Sequence, residues 1–185
     1  MKIGITQRIL VHNGQAYDAT QHGWYSYLKD HTLVPVPNDL AQDFELLAVQ
    51  LDALIITGGD DSLLRRNVEL TLATLMMKQR KPIIGVCHGS FLLQSVLGGT
   101  LVEIEDHHNI EHEIMYFGDI VNVNSYHSLA IKQVHNNATI LCVDPAGNCE
   151  AWIDGNLAGI TWHPERMSTP WLPDEIQNLL FKETK

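Results

Sequence analysis

Gly85-Val86-Cys87-His88-Gly89 sets a thiol at the junction of an apolar run, Pro82–Val86, and a helical stretch, His88–Leu97. A strand that reverses directly into a helix needs a tight bend, and glycines on both sides keep side-chain bulk away from it. That is the logic of a nucleophile elbow, in which the reactive atom is held above the edge of a sheet. The positive end of the following helix dipole is expected to favour thiolate over thiol. Further along, Trp162-His163-Pro164-Glu165 brings an imidazole and a carboxylate within one short segment. Cys87, His163 and Glu165 together supply a nucleophile, a base and a group to orient the base, the set that a cysteine hydrolase needs. An isolated cysteine is more often a packed core residue; the flanking glycines and the downstream pair favour chemistry here.

These residues need a scaffold, and the chain is large enough to build one. Its 185 residues match one domain, so residues 1–185 are expected to form a single hydrolase domain. A formal charge of −10 argues against nucleic acid as a partner, because binding a polyanion begins with phosphate neutralisation. The cysteine count of 3 (Cys87, Cys142 and Cys149) is odd and suits a reducing compartment, not a disulfide framework. The opening Met1-Lys2-Ile3-Gly4-Ile5 reads as a first strand and not as a signal peptide, and no apolar run approaches membrane-spanning length. A cytoplasmic protein with no membrane contact is expected.

The first half alternates strand-like and helix-like segments: strands at Ile3–Thr6, Thr32–Val36, Leu54–Thr57 and Pro82–Val86, helices at Asp18–Asp30, Leu40–Val49, Asn67–Arg80 and His88–Leu97, and a loop over Gln7–Tyr17. Strands apolar throughout, alternating with helices, predict a mostly parallel central sheet flanked by helices, an α/β fold whose strand ends converge where such sheets place their sites. The second half predicts short antiparallel strands at Leu101–Ile104, Glu113–Phe117, Ile120–Val123, Thr139–Val143, Glu150–Ile153 and Leu157–Thr161, then a closing helix, Asp174–Phe181.

With the elements laid out, the motifs match a known pattern. Thr57-Gly58-Gly59-Asp60-Asp61, Gly85-Val86-Cys87-His88-Gly89 with Leu97-Gly98-Gly99, Val123-Asn124-Ser125-Tyr126-His127, and Gly159-Ile160-Thr161-Trp162-His163-Pro164-Glu165 occur in order along the chain. In this the chain resembles the class I glutamine amidotransferase-like superfamily, of flavodoxin-like fold, and within it the free-standing γ-glutamyl hydrolases. The resemblance implies that Cys87 attacks the δ-carbonyl of a γ-glutamyl group to form a glutamyl thioester, with His163 moving the proton and Glu165 orienting the imidazole. It implies an oxyanion hole from backbone N–H groups at Gly59 and His88. It also implies a substrate-gripping set of Gly58 and the Asn124, Ser125 and Tyr126 segment. No cofactor and no metal are implied.

Two positions depart from the superfamily's pattern. Phe91 stands where the amidotransferases usually carry a glutamine that positions substrate, which removes two donors and an acceptor; Gln94, one turn along, is the candidate to replace it. Thr161 stands where a glutamine is frequent, and is read as a tolerated pocket change. The opening Ile3-Gly4-Ile5-Thr6-Gln7-Arg8 and the Val34-Pro35-Val36-Pro37 stretch resemble the free-standing hydrolases. Among these, the resemblance reaches the enzyme type that cleaves γ-glutamyl-CDP-amidate to glutamate and cytidine diphosphoramidate in capsule biosynthesis. A diphosphate would call for cationic contacts: Arg8 first, with Arg65 or Arg66 as others. The alternatives are a polyamine- or folate-type γ-glutamyl hydrolase, a glutaminase subunit that would need a synthase partner, and a non-catalytic binder of γ-glutamyl metabolites. Homodimer formation stays open.

The chain has 10 histidines, and His108 and His112 carry the spacing of a helical zinc pair beside His107. The stretch Asp106–Glu113 lacks a helical pattern and reads as a link between strands, so no metal is expected; His112 reads as structural and His127 as a pocket or loop residue. Trp152, Trp162 and Trp171 read as core or pocket wall, and Cys142 and Cys149 as buried bystanders.

Overall fold

A computed structural model describes residues 1–105 and 107–181. Its main sheet runs in the order β4 (Thr32–Val36), β1 (Lys2–Thr6), β5 (Ala53–Ile56), β6 (Ile83–Val86), β13 (Leu157–Ile160), β12 (Cys149–Asp154), β11 (Thr139–Val143), β8 (His108–Tyr116), β9 (Asp119–Tyr126). From β4 to β13 every neighbouring pair is parallel. Beyond β13 the pairing turns antiparallel. This is the mixed α/β architecture expected from the sequence. The central strands β5, β6 and β13 are buried along their whole length because helices cover the sheet, which is why they read as continuous apolar runs.

The helices are α1 (His22–Tyr27), α2 (Phe44–Gln50), α3 (Leu63–Lys78), α4 (His88–Leu97) and α5 (Asp174–Phe181). Two starts are set by caps: Asp43 accepts from the Leu46 N–H at 2.9 Å and Ser62 from the Arg65 N–H at 3.2 Å. Helix α3 therefore begins four residues before the expected Asn67, and α2 begins after the expected Leu40.

Several expectations need correction. The stretch Gln7–Tyr17, read as a loop, is a hairpin of β2 (Arg8–His12) and β3 (Gln15–Ala19). Its turn is Asn13-Gly14, both at positive φ (50° and 74°), the pair that two-residue hairpins favour. That hairpin takes up Asp18 and Ala19, so α1 is shorter than Asp18–Asp30, and the Asp18 carboxylate instead accepts from the Asn38 backbone N–H at 2.9 Å. The link over His107–Glu113 is mostly strand: β8 starts at His108 and carries a bulge before Ile110. Asp106 lies outside the described residues. Strand β10 (Leu129–Gln133), which pairs with β7 (Thr100–Glu103) and β12, has no counterpart in the sequence reading.

The elbow rests on a floor without side chains. Gly85 in β6 and Gly159 in β13 are register partners, so two glycines lie side by side under the first turn of α4. A Cβ at Gly85 would come 2.5 Å from the Gly89 carbonyl carbon, and one at Gly159 would overlap the Ser90 hydroxyl and the Trp152 indole. Gly89 in turn faces Ile56 of β5 so closely that a Cβ there would overlap its carbonyl oxygen. Gly85→Ala must push α4 off the sheet. Overpacking of this kind costs about 1–3 kcal/mol, and the expected result is a lower urea midpoint with an unchanged m-value.

Candidate active site

Cys87 is the N-cap of α4, at φ 50° and ψ −106°, a region that a residue with a Cβ adopts only under constraint. The constraint is visible: its N–H donates to the Ile160 carbonyl oxygen at 2.8 Å, while its own carbonyl oxygen accepts from the Phe91 N–H at 3.1 Å. His88 is the first residue of α4, so its N–H has no intrahelical acceptor, and it acts on the adjacent Cys87 sulfur in favour of the thiolate.

His163 and Glu165 flank the start of a 3-10 turn, Pro164–Arg166. The His163 Nδ1–H donates to Glu165 Oε1 at 2.6 Å, with both side chains buried. That bond assigns the proton to Nδ1 and the lone pair to Nε2. Gly58 lies under the imidazole: a Cβ there would overlap the His163 ring and sit 3.3 Å from Cys87 Cβ. Only a glycine lets the Thr57–Asp60 loop close over both groups. Gly59, at φ 123°, occupies a conformation that disfavours any other residue. Cys87, His163, Gly59 and His88 all line one cavity of about 490 Å³.

Burial sets the protonation states. It pushes the Cys87 thiol up to about 11, against the opposing pull of the His88 N–H and of Arg166. It also lowers His163, with Glu165 acting the other way. The expected helix-dipole preference for a resting thiolate is therefore overridden by desolvation. The arrangement holds a neutral thiol beside a neutral imidazole with a free Nε2, which can take the proton as sulfur attacks.

The substrate-side residues divide. Arg8, at the start of β2, and Tyr126, at the end of β9, line the cavity. Asn124, Ser125 and Gly58 are not among its lining residues; the grip expected of this segment is one of backbone groups. The Asn124 amide is spent on the His163 backbone, donating to its carbonyl oxygen at 2.8 Å and accepting from its N–H at 2.9 Å. The Ser125 hydroxyl donates to the His107 carbonyl oxygen. Arg65 is fully buried and cannot meet a ligand; it donates to the carbonyl oxygens of Thr57 (2.5 Å) and Asp60 (3.1 Å) and so shapes the glycine loop. Arg66 reaches the cavity wall and pairs with Asp61.

Sequence reasoning missed Arg166. It lines the cavity, lies 4.5 Å above the Tyr126 ring and bonds Gln21. Its position directly after the His163-Pro164-Glu165 run was the available signal. Glu69 was also missed, and nothing in the local sequence marks it. Its Oε1 accepts from Arg65 Nε and from the Thr6 hydroxyl, each at 2.8 Å, and its Oε2 accepts from the His88 ring at 2.8 Å. Phe91 forms cavity wall, edge-on to His127 at 5.5 Å. Gln94 does not replace the missing amide: it is fully buried, and its Oε1 accepts from the His135 N–H at 2.9 Å. Thr161 is likewise no pocket residue; it is buried and its hydroxyl donates to Glu150. Cys142 and Cys149 are buried free thiols, and Trp152 and Trp162 are core.

The sheet carries a strained cysteine elbow at the end of β6 and a His–Glu pair just beyond β13, its last parallel strand, and this is an amidotransferase-type α/β fold. The chain belongs to the class-I glutamine amidotransferase family, matching it over residues 10–183. Members of that family are hydrolases acting on glutamine amides. It is 26% identical over 182 residues to the gamma-glutamyl-CDP-amidate hydrolase of Campylobacter jejuni, covering 90% of each chain. It is 26% identical over 158 residues to anthranilate synthase component 2 of Thermococcus kodakarensis, covering 80% of this chain and 81% of that one. It shares the fold of a glutamine amidotransferase from Thermotoga maritima, with a TM-score of 0.69 at 16% identity over 89% of this chain and 76% of that one. Among the described residues, no helix is long and apolar enough to cross a membrane.

Two measurements test the site's physics. Glu69→Ala leaves the Arg65 guanidinium buried without its carboxylate, and such a loss costs about 3–5 kcal/mol; urea unfolding should show a midpoint lowered accordingly. Alkylation of Cys87 by iodoacetamide in the unliganded protein should be slow at pH 7 and rise about tenfold per pH unit toward the thiol's elevated pKa. A rate already at its plateau at pH 7 contradicts the resting thiol.

Proposed function

We propose that this protein hydrolyses a γ-glutamyl amide linkage through a glutamyl-thioester intermediate. Cys87 sulfur attacks the δ-carbonyl carbon while His163 Nε2 takes the thiol proton. The carbonyl oxygen becomes an oxyanion that accepts from the Gly59 and His88 backbone N–H groups; donors of this kind typically contribute on the order of 3 kcal/mol each. Collapse breaks the carbonyl-carbon–nitrogen bond, and the His163 imidazolium gives its proton to the leaving nitrogen. Water then attacks the thioester, His163 takes its proton, and collapse releases glutamate and returns the proton to sulfur. Glu165 fixes the imidazole's tautomer and supports its charge through the Nδ1–H bond.

The observation that carries this reading is the convergence of Cys87, His163 and the Gly59 loop on one cavity, with the His163–Glu165 bond behind it. For the amine half of the substrate, we propose the nucleotide amidate, γ-glutamyl-CDP-amidate, giving glutamate and cytidine diphosphoramidate. Support comes from the guanidinium groups of Arg8, Arg66 and Arg166 along the cavity, since arginine forks match phosphate oxygens. The likeness to the Campylobacter jejuni hydrolase supports the same reading. Phe91 in the wall counts against efficient use of free glutamine. We read the chain as one domain acting without a cofactor, and its free cysteines support a reducing, cytoplasmic setting.

The test is glutamate release from γ-glutamyl-CDP-amidate, glutamine and a γ-glutamyl polyamine, with Cys87→Ser as the control. The nucleotide amidate is expected to turn over fastest, Cys87→Ser to abolish release, and Arg8→Ala to raise KM for the nucleotide about tenfold or more through a lost charged hydrogen bond. Faster release from the polyamine removes the nucleotide and keeps the thioester chemistry. Release only from glutamine, and only with a synthase present, makes the chain a glutaminase subunit. Silence on all three substrates removes the hydrolase reading in favour of a binding protein.

A further inference from the structure

Next to the cavity wall formed by Phe91 and His127, two strands and a turn aim ligating atoms at one point. His112 comes from β8, His127 from the turn between β9 and β10, and Glu150 from β12. One donor atom from each lies within 4.8 Å of the others, with His112 Nε2 3.7 Å from Glu150 Oε2. Two ligands at about 2 Å from one metal ion sit roughly 3–4 Å apart, whereas 3.7 Å is too long for a direct hydrogen bond. We infer that His112, His127 and Glu150 form a binding site for one divalent transition-metal ion, zinc before others.

Most of the polar atoms at this point lack a partner within the protein. Among the described residues, His112 Nδ1 and Nε2, His127 Nε2 and Glu150 Oε1 are buried and have no hydrogen-bond partner. Glu150 is 1% exposed and His127 5%. Buried polar groups left unmatched each carry a desolvation penalty, so several in one cluster mark a missing partner. The His127 Nδ1–H donates to the Leu129 carbonyl oxygen at 2.8 Å, which directs the Nε2 lone pair into the cluster. The Thr161 hydroxyl donates to Glu150 Oε2 and holds the carboxylate in place. A ligating imidazole anchored through its other nitrogen, and a ligating carboxylate anchored by a hydroxyl, are the outer contacts that metal sites use. His107 packs beside both histidines, ring centroids 5.1 Å from His112 and 5.6 Å from His127, and can offer a further nitrogen. Two imidazoles and one carboxylate suit zinc and its neighbours and suit calcium or magnesium poorly. The spacing of His108 and His112 along the chain has no part in this; the His108 ring packs edge-on to Tyr126 instead.

An ion here would pin β8, β12 and the β9–β10 turn together next to the cavity wall. Protein stripped with EDTA and given one equivalent of zinc should retain about one zinc per chain after desalting, measured by elemental analysis. Its thermal midpoint should rise by roughly 5 °C or more. Cys87→Ser should behave alike, because the thiol–imidazole pair of the active site is the rival zinc binder. His112→Asn, a smaller polar side chain at a position that is not fully buried, should fold and lose both effects. Glu150→Gln, close in shape, serves as the second variant, and Thr161→Val should weaken zinc binding about 10–100-fold. Zinc retained by His112→Asn and Glu150→Gln, zinc lost in Cys87→Ser, or no zinc retained by the unaltered protein overturns the site. None of these readouts requires turnover, so they stand or fall apart from the proposed reaction.

Discussion

One buried carboxylate holds the two halves of the proposed oxyanion hole in register. Glu69, on α3, spends Oε2 on the His88 ring and Oε1 on Arg65 and Thr6. Arg65 in turn grips the carbonyl oxygens of the Thr57–Asp60 loop. The residue after the nucleophile and the glycine loop, far apart in sequence, are thus tied to the same side chain. A buried ion pair is no source of stability in itself, because removing both charges from water costs as much as their attraction returns. What it supplies is geometry. Both oxygens of Glu69 and the donors of Arg65 are matched, and a fully matched network has one arrangement in which it is satisfied.

The elbow adds a second constraint, which the two halves of the chain share. Holding Cys87 at positive φ costs on the order of 1–3 kcal/mol. The surroundings that enforce it are the glycine floor of β6 and β13 and the Ile160 carbonyl oxygen, which comes from the second half. The imidazole is positioned by that half as well: Asn124 of β9 closes both backbone bonds of His163, and Tyr126 meets its ring edge-on at 5.6 Å. The antiparallel extension is therefore the part that aims the base, while the parallel half aims the nucleophile.

That division explains what could be read from the sequence. The parallel half was legible because its strands are buried on both faces and its glycines are enforced by backbone contact, as at Gly85 and Gly89. Cys87, His163 and Glu165 stood out because each carries a local mark, glycines around the thiol and a carboxylate two residues after the imidazole. The hairpin at Asn13-Gly14 was legible in principle, since its turn signal is present. The first half of β8 and the whole of β10 were not, because His108–Glu111 is exposed throughout and the short β10 has no period-two pattern. Glu69, the Asn124 clamp and the meeting of His112, His127 and Glu150 were beyond reach for a different reason. Each is a contact between distant segments, and residue type alone does not say whether a buried polar group finds its partner across the fold.

The protonation states give the site its logic. Burial disfavours charge on sulfur and on imidazole alike, so a thiolate–imidazolium pair is costly before substrate enters. On the proposed mechanism, charge first develops when sulfur attacks, and it develops on the carbonyl oxygen, where backbone donors are already aimed. Their stabilisation is then spent on the transition state and not on a resting ion pair, the condition under which binding energy raises turnover. The cations at the cavity act with burial on the imidazole and against it on the thiol. Arg166 draws the thiol's pKa down, and together with Arg8 it draws the imidazole's down. A substrate whose phosphates engage these guanidinium groups would relieve both pulls, leaving His163 a stronger base and the thiol a weaker acid. Recognition of the leaving group and the proton balance between thiol and imidazole would then be set through the same two arginines.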